Sequence, residues 1–184
     1  MKPIADFLFE AKMLKDTPRA GYAFLGIGRE SVAEHSFMIT LIGFVMSRLC
    51  PDLDSGKLVA MCLLHDLPES RISDLNYVHK KYVTADEPGA VDDMTAQLPF
   101  GEEVKALIDE FNAGETPEAQ LAKDADQLSF VLELKQLTDL GSPAPDTWLP
   151  VVIDRLRTPL GKKLADTILR TRWDAWWMQN YVDG

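Results

Sequence analysis

Three histidines occur in this chain, and two of them stand where solvent exposure does not explain them. His35 opens a strongly apolar stretch that runs to Leu49, and His65 closes another that begins at Leu58, with Asp66 directly after it. An imidazole and a carboxylate side by side at the end of a buried helix are costly if their charge is unpaired. A bound divalent cation removes that cost, since buried charges are paired or coordinate metals. Lys123-Asp124-Ala125-Asp126-Gln127-Leu128 adds carboxylates from a third long helix. Two imidazoles and two carboxylates suit a borderline divalent transition metal that keeps positions open for water and substrate. Taken singly the signals are weak. A lone core histidine is usually satisfied by a backbone carbonyl, and a His-Asp dipeptide arises readily by chance.

The elements that must position these residues are helical. Ile4, Phe7, Leu8, Ala11 and Leu14 repeat at the spacing of a helix with one buried stripe, which ends near Lys15. Pro18, Gly21, Gly26 and Gly28 punctuate a loop over residues 16–30. Ser31-Val-Ala-Glu34 has the form of a capping box, in which Glu34 is a capping residue, and starts a helix that Pro51 stops. That helix and the next, Lys57 to Leu67, are apolar on nearly every side and belong in the middle of the domain, with His65 and Asp66 in the last turn of the second. Thr84-Ala-Asp-Glu87 repeats the capping pattern, and Val104 to Phe111 reads as a short helix. Thr116-Pro117-Glu118 starts a long helix to about Leu140. A Pro-rich turn over residues 142–147 precedes two further helices, the last from Pro159 to Met178. No strand of convincing alternation appears. The fold class is therefore all-α, a single-domain helical bundle spanning residues 1–184, with the chemistry in about residues 10–140 and C-terminal helices over 147–180.

Composition narrows the function. A formal net charge of −10 repels nucleic acid, while a metal and a few local cations still admit a small phosphorylated metabolite. Cys50 and Cys62, both in apolar stretches, read as two buried thiols of a reducing compartment, and no stretch approaches the ~18 uninterrupted apolar residues of a membrane span. The expectation is a cytoplasmic protein with no membrane partner; Met1-Lys2-Pro3 leads straight into an amphipathic pattern without a signal peptide.

Several segments together carry a resemblance. Leu14-Lys-Asp-Thr-Pro-Arg19-Ala-Gly-Tyr22, Arg29-Glu-Ser-Val-Ala-Glu-His35-Ser36, His65-Asp66-Leu-Pro-Glu69, Ser73-Asp74-Leu75 and Lys123-Asp-Ala-Asp126-Gln-Leu128 stand in that order over about residues 10 to 135. The H…HD…D pattern resembles the HD phosphohydrolase superfamily, and the linked motifs resemble its 5′-deoxynucleotidase branch. The resemblance implies that His35, His65, Asp66 and Asp126 hold one divalent metal ion, whether Mn, Co, Zn, Ni or Mg. Helical periodicity does not choose between Asp124 and Asp126; the motif does. The resemblance further implies that Glu69 and Asp74 are the acid/base carboxylates and that Arg19 orients the phosphate. Asn76 and Tyr77, just beyond Asp74, are the further candidates for substrate contact. Ser73 departs from the pattern, which often has glycine there, and Tyr22 stands three residues past Arg19 where some members have tryptophan directly after the arginine. The final 45 or so residues, with Trp148, Trp173, Trp176 and Trp177, lie beyond the matched motifs.

The implied activity is metal-dependent release of phosphate from a nucleoside 5′-monophosphate. The same site could serve another small phosphoester, or the fold could be a nucleotide-binding regulatory module without turnover. His79 reads as a surface residue, and Lys80 or Lys81 could reach a substrate phosphate. Three tryptophans in the last dozen residues lead us to expect a homodimer built partly on that surface.

Overall fold

The capping signals in the sequence begin helices close to where they stand. A computed structural model describes residues 1–181, and among them the chain is helical with no sheet; an isolated bridge joins Pro18 and Ser31. Helix α1 (Lys2–Lys12) continues as a 3-10 turn to Lys15, and the expected loop contains a short helix, α2 (Tyr22–Leu25). Helix α3 (Val32–Leu49) starts from a complete capping box: the Ser31 hydroxyl accepts from the Glu34 N–H, and the Glu34 carboxylate accepts from the Ser31 N–H.

Helix α4 (Ser55–Leu64) ends earlier than its apolar run suggests. His65 is its C-cap and Asp66 lies outside it. Pro68 has no N–H to offer the carbonyl of Leu64, so the chain turns there and re-enters a short helix, α5 (Glu69–Ile72). Helix α6 (Glu87–Thr95) is capped by Asp86 rather than Thr84, because Pro88 sits in its first turn. Helices α7 (Gly101–Ala113) and α8 (Pro117–Asp139) follow, the latter capped by the Thr116 hydroxyl as its sequence requires. Helix α9 (Pro145–Asp154) begins inside the Pro-rich turn, with proline in its first turn. The last expected helix is two, α10 (Pro159–Arg170) and α11 (Ala175–Tyr181). Thr171 is extended there, and the Trp173 N–H donates to the Asp139 carboxylate instead of to the preceding turn.

Helices α3, α4 and α8 pack on one another along their lengths, burying Ile39, Met46, Leu58, Met61 and Leu128. His35 lies on α3 and both later aspartates on α8, while His65 caps the end of α4. Neither α3 nor α4 is wholly enclosed, contrary to the expectation: Phe37, Leu41, Phe44, Val45 and Leu49 on α3 and Leu63 on α4 are each about half exposed. Helix α3 is long and apolar enough to cross a membrane, yet its inner face carries buried His35 against α4 and α8, as a core helix does. Cys62 is buried and Cys50 only partly covered, and both are free thiols.

Candidate metal centre and phosphate pocket

The loop before α3 is tied to the start of that helix by two backbone bonds, Val32 N–H to Thr17 O and Arg19 N–H to Glu30 O, both 2.9 Å. They bring Arg19 and His35 to the same Glu30 carboxylate, at 3.9 and 3.7 Å. The turn after α4 presents His65 and Asp66 to the same space, and α8 supplies Asp126.

His35, His65 and Asp126 offer donor atoms that all lie within 4.8 Å of one another. The Nε2 of His35 is 3.0 Å from Asp126 Oδ1 and 3.9 Å from Asp66 Oδ2, and the Nε2 of His65 is 3.1 Å from Asp66 Oδ1. The bland role of a core histidine is also present, since His65 Nδ1–H donates to Cys62 O at 3.0 Å. That bond settles the ring and leaves Nε2 facing the cluster. Phe111 packs against the other side of the ring at 4.4 Å between centroids. His35 Nδ1 is near Ser129 Oγ, at 3.4 Å, and Glu30 Oε2, at 3.7 Å.

These residues fit a divalent ion. His65 Nε2 and Asp66 Oδ2 are buried polar atoms without a hydrogen-bond partner, and both belong to this cluster. The charge pattern agrees. Burial opposes protonation of His65, but the nearby carboxylates, Asp66 foremost, raise its pKa. Burial likewise disfavours the Asp126 carboxylate, yet hydrogen bonding and charge from His35 hold its pKa well below the usual range. The raised pKa of His65 lets a proton on that ring offset carboxylate charge without a metal, and a cation can take its place.

The structure separates Asp124 from Asp126. Asp124 is fully buried and accepts three hydrogen bonds, from Arg157 N–H at 2.7 Å, Thr158 N–H at 2.9 Å and the Thr158 hydroxyl at 2.6 Å. It fastens the start of α10 to α8. Gly161 is required for this approach, because a Cβ there would lie 2.2 Å from the Asp124 carboxylate. Asp126 is the one that faces the histidines.

A cavity of about 300 Å³ opens from the cluster, lined at its inner end by His65, Asp66, Asp126, Arg19, Glu69 and Asp74. Arg19 Nη1 is 3.4 Å from Asp74 Oδ2 and 3.7 Å from Asp66 Oδ2. Glu69 Oε2 is buried without a partner. Burial, then the charges of Asp66 and Asp74, push the Glu69 carboxyl up to about 9, so it holds a proton at neutral pH. Ser73, in the place where glycine was the alternative, has φ +61°, a conformation that costs an L residue. It turns the chain so that Asp74 meets Arg19. Asn76 lines the cavity, but its Oδ1 accepts from the N–H groups of Val78 and His79. Tyr77 lines the outer part, Lys80 reaches the wall, and His79 is at the surface.

Residues 11–168 match the profile of the HD domain. The chain belongs to the HD-domain family. It is similar to the 5′-deoxynucleotidase hdd1 of Schizosaccharomyces pombe, 28% identical over 94% of this chain and 92% of that one. It is also similar to the human 5′-deoxynucleotidase HDDC2, 26% identical over 76% of this chain and 70% of that one. A conserved hypothetical protein from Pyrococcus furiosus shares the fold with a TM-score of 0.77, at 25% identity over 91% of this chain and 99% of that one. An HD-domain phosphohydrolase from Listeria innocua, 17% identical, matches in fold over 98% of this chain and 96% of that one with a TM-score of 0.68.

The family match therefore reaches well past the motifs read from the sequence, into α10. Sequence reasoning also missed residues that surround the site. Glu30 stands beside His35, and Phe111 backs His65. Trp148 and Arg155, on and just after α9, join the cavity from a region that offered no motif. Their spacing is that of ordinary helix packing, so nothing local marked them.

Proposed function

We propose that this HD-domain protein is a metal-dependent 5′-nucleotidase that releases phosphate from deoxynucleoside 5′-monophosphates. The observation that carries the reading is one cavity beside the His35, His65 and Asp126 cluster that also holds Asp66, the Arg19 guanidinium within 3.7 Å of Asp66 and Asp74, and the buried Glu69 carboxyl. His35, His65, Asp66 and Asp126 hold the ion. When bound, the ion supplies positive charge for phosphoryl oxygens and makes water more acidic.

Arg19 binds the remaining phosphate oxygens by charge-assisted hydrogen bonds and meets the charge that develops in the transition state. Asp74 holds Arg19 in place from one side and is a candidate proton acceptor. Glu69, whose carboxyl is pushed up by burial and by Asp66 and Asp74, is the group proposed to give a proton to the departing 5′ oxygen. The names of the fission-yeast and human relatives support the substrate class. Phosphate release from a panel of 5′-monophosphates, with chelator and with Mn²⁺, Co²⁺, Ni²⁺, Zn²⁺ or Mg²⁺ restored, tests the reading; no release with any metal refutes it.

A further inference from the structure

The outer wall of the cavity is chemically unlike its inner end. Tyr77 and Trp148 face each other across 6.2 Å between ring centroids at an interplanar angle of 42°, so neither ring covers the other. Phe130 meets Trp148 edge-on at 5.8 Å and 90° and fixes its plane from behind. Arg155 Nη1 donates to the Tyr77 hydroxyl at 2.5 Å, and its guanidinium carbon lies 5.2 Å from the centre of the Tyr77 ring. Tyr77 keeps 53% of its surface exposed, and all four residues line the cavity that contains Arg19 and Asp126. None of them takes part in metal binding or proton transfer.

We propose that Tyr77, Trp148 and Arg155 form a nucleobase platform, the end of the pocket that distinguishes a nucleotide from a bare sugar phosphate. The inference rests on the 5′-nucleotidase reading and names the part of the substrate that this wall recognises. Open aromatic faces attract any planar heterocycle, because every base has a π-face. The Arg155 guanidinium, which lies over the Tyr77 ring and bonds its hydroxyl, has further N–H groups for a ring nitrogen or a carbonyl, and every base carries at least one such acceptor. A phosphate held by Arg19 at the inner end and a base at the outer wall describe one bound nucleoside monophosphate. Stacking with few directed donors favours binding of any base over choice among bases.

The test compares thymidine 5′-monophosphate with 2-deoxyribose 5-phosphate, which offers the same phosphate and sugar without a base. The metal-loaded wild type is expected to prefer the nucleotide in kcat/KM by about ten- to a hundredfold, the scale of one base stacked on an aromatic side chain. Tyr77→Ala, Trp148→Ala and Arg155→Ala should each reduce that preference through KM, with kcat for the nucleotide and kcat/KM for the sugar phosphate unchanged. Trp148 also packs against Phe130, so Trp148→Phe serves as the conservative partner and should restore most of the preference. Equal handling of the two substrates by the wild type, or variants that slow both alike, overturns the platform while leaving the 5′-nucleotidase reading intact. Release of phosphate from neither substrate overturns that reading and the platform with it.

Discussion

The Asp74 carboxylate lies 3.4 Å from the Arg19 guanidinium and accepts a hydrogen bond from the backbone N–H of Ala20 at 2.9 Å. One aspartate thus fixes the head group of Arg19, the residue proposed to meet the phosphate, and the main chain immediately after it. Arg19→Ala should lower kcat/KM by roughly 1.5–3 kcal/mol of lost charge-assisted contact. Asp74→Asn should lower it too, and the double variant should lose less than the sum of the two. Full additivity in steady-state kinetics would show that the two residues act separately.

Asp124 and Asp126, two residues apart, should fail in different ways. His65→Ala and Asp126→Asn are expected to lose bound metal and activity. Asp124→Asn should keep the metal but lose about 2–4 kcal/mol of stability, because a buried acceptor with three donors becomes mismatched. Elemental analysis together with thermal melts separates the outcomes.

Glu69 gives a pH-dependent signature in metal-free protein. Its folded-state carboxyl binds a proton up to about 9, above the ordinary value of 4.5, so between those limits the folded state holds a proton that the unfolded state has released. Stability therefore falls as pH rises through that window. Glu69→Gln removes the penalty, and its melting temperature should exceed that of the wild type at pH 8 by a margin that shrinks towards pH 4.5. The same variant, loaded with metal, should lose about 10²–10⁴ in turnover.

Assembly is expected to be dimeric, with the outer face of α3 as its centre. Phe37, Leu41, Phe44, Val45 and Leu49 are 45–65% exposed along one 18-residue helix, a face that a second copy can cover by twofold pairing. The C-terminal tryptophans offer less: Trp173 and Trp177 are half-buried, though Trp176 is 77% exposed. Light scattering at micromolar concentration should give a dimer mass that Leu41→Glu halves. A wild-type monomer would contradict this.

Much of the fold was legible because its signals are local. The capping box at Ser31 and the cap at Thr116 each depend on residues three or four apart, and both stand where the sequence puts them. The break at Thr171 was not legible, because it depends on Asp139 accepting from the Trp173 N–H across 34 residues. The same holds for the two aspartates of α8. Both sit on an amphipathically ambiguous helix, and Asp124 is claimed by Thr158, a partner no helical period reveals. His35 and His65 were conspicuous because polar groups in apolar helices demand a reason. Trp148 and Arg155 were not, because an aromatic and an arginine on a short helix are ordinary there.

The central claim is metal-dependent attack on a 5′-phosphate, and paired assays of deoxyadenosine 5′-monophosphate and deoxyadenosine 3′-monophosphate test it most directly. After chelation the protein should release phosphate from neither, and restoring a divalent transition metal should recover the 5′ activity. The 3′ isomer should remain slower by at least about 10²-fold, since a phosphate displaced from Arg19 and the metal ligands loses its alignment. Equal turnover of both isomers, or 5′ turnover undiminished by chelation, would contradict the account.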